Sequence, residues 1–354
     1  MMLEGKRVVI TGGTGSMGKT LVRRILGGEM GVPEKVIVFS RDEGKQHYMR
    51  LAYQNREVST DEIIFENFKR VLEFRIGDVR SYADVCSVLR DVDIVINAAA
   101  LKQVPTCEYF PDQAVSTNCL GAQNIVRAIT ENKFNVDTVV GVSTDKAVKP
   151  VNVMGMTKAI MERIINSGNI MNQNTRFLCV RYGNVLASRG SVIPLFLKQI
   201  ASGGEVTITL PEMTRFLLSL DDAVDTVFEA LKNGRAGEVT IPTAPSATVI
   251  NLAKAMIGDR DIEIKNIGIR PGEKIHEILI SEEEANHTFA RGDFYAVQSM
   301  LPELSFDDKY ADIGEYSSAN SVISLEDTVE LLRKNNLLPE QQLRDLNSSS
   351  EIIR

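Results

Sequence analysis

Short apolar runs alternate with longer amphipathic stretches through the first half of the chain. The runs at 7–11, 35–39, 71–76, 93–97, 138–142 and 177–181 predict strands. The stretches at 18–26, 42–54, 83–89 and 112–131 repeat their apolar positions with helical spacing. Strand–helix alternation of this kind predicts right-handed βαβ units and a parallel sheet. Because the strands are almost wholly apolar, both sheet faces should be covered by helices. The expected fold class is α/β: a doubly wound parallel sheet (Rossmann) over residues 1–180, completed by later segments. After residue 180 the rhythm changes. An alternating run at 206–209, helices at 220–231 and 249–257, and strand-like runs at 238–241 and 262–267 predict a smaller α/β substrate-binding region. That region is expected over 181–300 and interleaved with the sheet. Residues 301–354 should add one helix, at 325–335, and a tail fraying at Asn347-Ser348-Ser349-Ser350. The polar stretch 55–70 predicts no element.

Composition narrows the class of protein. With 354 residues, 44% of them hydrophobic, the chain can fill a sizeable core. A net charge of −7 without a basic run argues against a nucleic-acid surface. Cys86, Cys107, Cys119 and Cys179 form no short-spaced pairs, so they read as reduced core residues, and no metal site is expected. The first strand starts almost at once, with no leader before it and no 18-residue apolar run after it. A cytoplasmic enzyme with no membrane segment is the expectation, as a homo-oligomer.

The candidate chemistry lies at strand ends. Gly12, Gly15 and Gly18 follow the first strand and open a helix. Glycines there permit a tight turn and close approach of a pyrophosphate, with helix amides at Ser16 and Met17 to bind its charge. After the second strand comes Phe39-Ser40-Arg41-Asp42. NAD sites usually place a carboxylate at that point, whereas Ser40, Arg41 and Lys45 suit the 2′-phosphate of NADP. NADP is therefore favoured over NAD, with Asp42 as a helix cap and an ordinary solvated Arg41 as the alternative. Asp78-Val79 ends the third strand, where Asp78 could accept from an adenine amino group. Asn97-Ala98-Ala99-Ala100 ends the fourth with residues small enough to admit the cofactor backbone.

Together with Arg181-Tyr182-Gly183-Asn184 and Arg270-Pro271-Gly272-Glu273-Lys274, these motifs resemble extended short-chain dehydrogenases/reductases acting on nucleotide sugars. Four stretches narrow the likeness: 39–43, Ala99-Ala100-Leu101-Lys102-Gln103-Val104-Pro105, Ser143-Thr144-Asp145-Lys146-Ala147 and Ser188-Arg189-Gly190-Ser191-Val192-Ile193-Pro194. They resemble the bacterial UDP-N-acetylglucosamine 4,6-dehydratases, over roughly residues 5–300. The superfamily keeps a tyrosine four residues before its active-site lysine. Here that slot holds Met154, ahead of Lys158, as in the soluble capsular type.

The resemblance implies oxidation at sugar C4, loss of water across C5 and C6, and return of hydride to C6. It assigns Asp145 as the acid that protonates the leaving hydroxyl and Lys146 as the base at C5. Ordinary values near ~4 and ~10.4 suit neither role at neutral pH. Burial should raise the aspartate, and burial or a neighbouring cation, with Lys158 the obvious one, should lower Lys146. Lys158 should hold the cofactor ribose, and Tyr182 should lie beside the cofactor. Met154 cannot take the C4 proton. Thr144 is the nearest hydroxyl to orient O4, and the final acceptor stays open among Lys146, water and a relay through Lys158. Asn184, Arg270 and Glu273 should meet the UDP portion of UDP-N-acetylglucosamine, with Arg215 and Lys102 as further candidates. His276 and His287 suggest no role. Inversion at C5 is expected. A UDP-sugar 4-epimerase and a non-catalytic NADP-binding sensor are the alternatives.

Overall fold

The computed structural model describes residues 1–54, 62–186, 191–306 and 309–341. The expected segments 55–61 and 188–190 and the serine-rich tail lie outside the described residues. One large sheet organises the chain. Its strands are β1 (Arg7–Thr11), β2 (Lys35–Ser40), β3 (Leu72–Ile76), β4 (Ile94–Asn97), β5 (Thr138–Val142), β6 (Arg176–Val180), β7 (Val239–Pro242), β8 (Thr288–Arg291) and β9 (Phe294–Val297). They lie in the order β8-β9-β7-β6-β5-β4-β1-β2-β3. From β3 to β7 every neighbour is parallel, and the hairpin β8-β9 closes the far side antiparallel to β7.

The strand order reverses between β1 and β4. The chain runs outward through β2 and β3, then returns to the other side of β1. A crevice therefore opens at the carboxyl ends of β1 and β4, the usual ligand position in such sheets. Every residue of β5 is buried, as is all but the first of β1, so helices do cover both faces.

A second layer overlies that edge. It contains the three-stranded sheet of Asn184–Val185, Thr214–Leu218 and Ser246–Thr248. Beneath it, Phe196, Met213, Leu252 and Met256 form a separate apolar cluster with Leu332 of the helix Leu325–Lys334. The sheet's own core runs on through residues of β7 and β9.

Two expectations need correction. Residues Glu62–Val71 form a helix where no element was expected. Apolar residues recur along that segment, but its many charges obscure the repeat. The helix expected at 112–131 is not continuous. It begins at Pro111–Ala114, widens to a π-helix over Val115–Leu120 and resumes as Gly121–Asn132. Within the wide turn Asn118 is buried and spends its amide on the backbone of Leu101 and on the Thr157 hydroxyl. No helix among the described residues is long and apolar enough to cross a membrane.

Candidate active site

The crevice is shaped by missing side chains. Gly12 has φ +67°, and a Cβ there would stand 2.8 Å from Ala99 Cα. A Cβ on Gly18 would collide with Gly13. The backbone can therefore fold tightly against Ala98 and Ala99. Thr11 Oγ1 donates to Asn97 Oδ1 at 2.7 Å and accepts from the Ala99 amide at 3.2 Å, joining the ends of β1 and β4. The helix Ser16–Leu26 starts beside this joint, with Gly15 at its cap position, so no cap side chain bonds its first amides. Those amides, including Ser16 and Met17, suit a pyrophosphate. Glycine cradle and bare helix start together fit a dinucleotide.

The ribose end is more occupied than expected. Buried Gln46 donates to both the hydroxyl and the carbonyl oxygen of Ser40, at 3.0 and 3.1 Å. Asp42 caps the following helix through the Lys45 amide at 2.9 Å, and Lys45 Nζ pairs with the same carboxylate at 2.6 Å. Arg41 approaches Asp78 at 3.7 Å. Asp78 does not present a bare carboxylate for adenine. Its Oδ2 accepts from the Arg80 side chain at 2.6 and 2.8 Å, and its Oδ1 from the Arg80 amide at 3.0 Å. Burial opposes ionisation of Asp78, yet Arg80 holds its pKa below the usual range. Val79 is buried against Gly121. Arg80 went unnoticed because a lone arginine in a strand-to-helix connection carries no motif.

A short turn, Asp145–Ala147, follows β5 and carries the candidate acid and base. Thr144 caps the turn; its hydroxyl donates to Asp145 Oδ1 at 2.8 Å, so that donor is already engaged. Asp145 is 0% exposed, and Lys146 Nζ lies 3.0 Å from its Oδ1. Its Oδ2 is buried without a hydrogen-bond partner among the described residues. Burial pushes the Asp145 pKa up, in the expected direction, and the nearby Glu277 charge adds to the rise.

Lys146 shifts the opposite way from expectation. Burial alone would lower it, but carboxylates on both sides outweigh burial and hold it above its ordinary value. The second carboxylate is Glu277, 2% exposed, with Oε1 at 3.1 Å from Lys146 Nζ. Arg215 Nε stands 3.8 Å from that oxygen, and Arg215, not Lys158, is the cation opposing the rise in Lys146. Sequence inspection missed Glu277, since a glutamate just beyond the Arg270–Lys274 motif has no spacing relation to Asp145. Its place becomes visible only once the chain folds back over the sheet.

Lys158 sits one turn along the long helix Val153–Met171 from Met154. It is 6% exposed and donates to the Val142 carbonyl at 2.7 Å; burial lowers its pKa to about 8. Met154 is buried with Cys107 and Ala114 in a small apolar cluster. Gly155 lets this helix lie on the Asp145–Ala147 turn, because a Cβ there would collide with the Lys146 carbonyl oxygen. Asn152 caps the helix through the Gly155 amide at 2.8 Å, and its own amide group donates to the Gly272 carbonyl at 2.8 Å. Lys274 Nζ adds a bond to the Val148 carbonyl at 2.5 Å. Helix, the Asp145–Ala147 turn and the 270–274 loop are thereby fastened together.

The remaining candidates are spread over the mouth. Tyr182 is buried and accepts the Asp145 amide through its backbone oxygen at 3.1 Å. Asn184 Oδ1 and Glu273 Oε2 are buried acceptors lacking a donor among the described residues, as suits groups awaiting a hydroxyl-bearing ligand. Arg215 is buried and spends Nη1 on the carbonyls of Thr214 and Ile275. Arg270 and Lys102 are exposed.

This fold and site define the class: an extended short-chain dehydrogenase/reductase, a nucleotide-sugar-modifying enzyme. The chain belongs to the polysaccharide biosynthesis protein family, whose model matches residues 8–299. It is 43% identical to a UDP-glucose 4-epimerase of Rickettsia canadensis (strain McKiel), over 96% of this chain and 99% of that one. It also resembles the solved structure of Pen from Bacillus thuringiensis, with 35% identity, a TM-score of 0.84, and 96% and 100% of the two chains covered. A dTDP-glucose 4,6-dehydratase from Streptomyces venezuelae, solved with NAD, shares the fold at TM-score 0.63 and 21% identity, over 76% of this chain and 86% of that one.

Proposed function

We propose that the enzyme is a UDP-N-acetylglucosamine 4,6-dehydratase that inverts C5 and works with NADP. One observation carries the reading: Asp145 is a fully buried carboxyl with one oxygen unpartnered among the described residues, and Lys146 stands beside it on the same turn. Elimination of water needs an acid and a base within reach of adjacent carbons. Reversible hydride transfer at C4 alone needs no such acid. The nicotinamide, when bound, supplies hydride exchange with the sugar. Asp145, whose protonated form burial favours, delivers its proton to the leaving C6 hydroxyl. Lys146 removes the C5 proton once the C4 ketone has acidified it. Lys158, buried and cationic at neutral pH, stabilises the C4 oxyanion and holds the cofactor ribose. Asn184, Glu273, Arg215, Arg270 and Lys102 surround the nucleotide diphosphate and its ribose. Ser40, Arg41 and Lys45, with Arg80 alongside, receive the 2′-phosphate of NADP.

A UDP-sugar 4-epimerase is the second reading, favoured by the names of the Rickettsia relatives. One experiment separates the two. The protein is incubated with UDP-N-acetylglucosamine in deuterated water, and the products are followed by NMR. Dehydration yields a 4-keto-6-deoxy sugar labelled at C5, with coupling constants that report the configuration. Epimerisation yields UDP-N-acetylgalactosamine with no label. Asp145→Asn should abolish the first product; undiminished formation by that variant removes the acid assignment. Comparing NADP with NAD affinity, before and after Arg41→Ala, tests the cofactor choice.

A further inference from the structure

Arg270 and Glu273 stand at the two ends of one tight turn. The Glu273 amide donates to the Arg270 carbonyl at 3.2 Å, closing the loop over Pro271 and Gly272. Proline presets φ at the second position of the turn, and Gly272 takes the positive φ, +78°, that the third position of a type II turn requires. Arg270 and Pro271 are exposed, so packing does little to fix the turn in place. Asn152 does fix it. Its side chain is buried and its amide group is used at both ends. Oδ1 accepts from the Gly155 amide at 2.8 Å, and Nδ2 donates to the Gly272 carbonyl at 2.8 Å. The amide has an acceptor end and a donor end, so turning it over would break both bonds. The approach is close, since a Cβ on Gly272 would stand 3.3 Å from the Asn152 Cβ.

We propose that Asn152 is a positioning residue for the substrate: its amide sets the place of the nucleotide-binding turn relative to the Asp145–Lys146 pair. The proposal rests on the placement of the UDP portion at Arg270 and Glu273 above, and it holds for dehydration and epimerisation alike. The path between the two turns is short. The Lys146 carbonyl lies against the backbone of Gly155, Gly155 donates to Asn152, and Asn152 donates to Gly272, which sits between Arg270 and Glu273. Glu273 Oε2 is a buried acceptor without a partner among the described residues, so a ligand hydroxyl must come to where the turn holds it. A nucleotide gripped there carries its sugar at a fixed reach from the acid and base. Lys274 reinforces the placement by donating to the Val148 carbonyl, just past Lys146. The cap and the tether can be separated. Asn152→Asp keeps an acceptor for the Gly155 amide, but an ionised carboxylate has no hydrogen to give to Gly272.

Calorimetric titration of Asn152→Asp with UDP and, separately, with NADP tests this role. The Kd for UDP should rise about tenfold, the scale of one well-placed hydrogen bond. The Kd for NADP should stay at the wild-type value, because the helix that carries Lys158 keeps its cap. KM for UDP-N-acetylglucosamine should rise by the same factor as the UDP Kd with kcat held, because the nucleotide is gripped alike before and during the chemistry. Asn152→Ser also caps the helix but is too short to reach Gly272, and Lys274→Met cuts the second tie. Both should weaken UDP in the same selective way, and they carry the test if the Asp variant does not fold. Wild-type UDP affinity in all three variants, or equal losses of UDP and NADP affinity, overturns the role of Asn152. Arg270→Ala and Glu273→Gln examine the reading beneath it. Wild-type UDP affinity in both of these takes the nucleotide away from this turn and overturns its placement as well.

Discussion

At the scale of single residues, Met154 and Lys158 show how place alters meaning. Met154 fills the superfamily's tyrosine slot, yet its side chain is buried against Cys107 and Ala114. A phenol at this position would have to enter that cluster or disturb the helix start. Met154→Tyr should therefore not raise turnover, and overpacking should cost about 1–3 kcal/mol in urea unfolding. Lys158 bears a buried charge whose pKa falls from 10.5 to about 8. Below pH 8 the lysine is protonated both folded and unfolded, so the folded state carries the whole desolvation penalty. Between 8 and 10.5 only the unfolded chain holds the proton, so the penalty fades as pH rises. Without cofactor or sugar, wild type should gain about 2 kcal/mol on Lys158→Met between neutral pH and about pH 9.5. Paired unfolding curves at the two pH values check this; a constant gap would contradict it. Asp145 and Lys146 were legible in the sequence because they end an obvious strand. Glu277 was not, because its meaning depends on a fold-back that no local pattern records.

Among elements, the strands of the parallel sheet were readable to within a residue, since apolar runs bounded by polar turns leave little freedom, but the β8-β9 hairpin and the strand Thr214–Leu218 were not expected. Nor were the ties between elements. Arg181 belonged to a recognisable motif, but its task is visible only in three dimensions. It is 2% exposed and pairs with Glu162 of the long helix at 2.7 and 3.1 Å. It also meets Glu284 at 2.9 and 3.0 Å. Glu284 at the same time closes the capping box of the short helix Glu282–Ala285. Ser143, just before the Asp145–Ala147 turn, donates to Glu162. One guanidinium thus joins β6, the Lys158 helix and the segment that follows Glu277. Arg181→Met would leave buried Glu162 and half-buried Glu284 without their cation, at a cost of about 3–5 kcal/mol. Chemical denaturation measures the loss. Arg181→Lys should recover little of it, because an ammonium cannot make both two-pronged contacts.

For the whole molecule, sequence rhythm showed the parallel sheet and the crossing of chain segments, but not the order of its strands. The pattern at 238–241 was visible as a strand; nothing local says that it lies beside β6 and not in the smaller layer. Pairing of this kind is decided by which apolar faces remain to be covered. The observed order also sets a schedule for synthesis. A ribosome releases β1 to β6 early, but β7, which covers the outer edge of β6, comes only after the intervening second-layer segments. Its cover, the β8-β9 hairpin, is later still. Until then the nascent chain presents the apolar edge of β6, whose last four residues are wholly buried in the finished sheet, to any passing strand. A fragment ending at Arg181 should therefore sediment as aggregate while the full chain stays in the supernatant. Growing chains should engage holding chaperones most strongly between the emergence of β6 and that of β7.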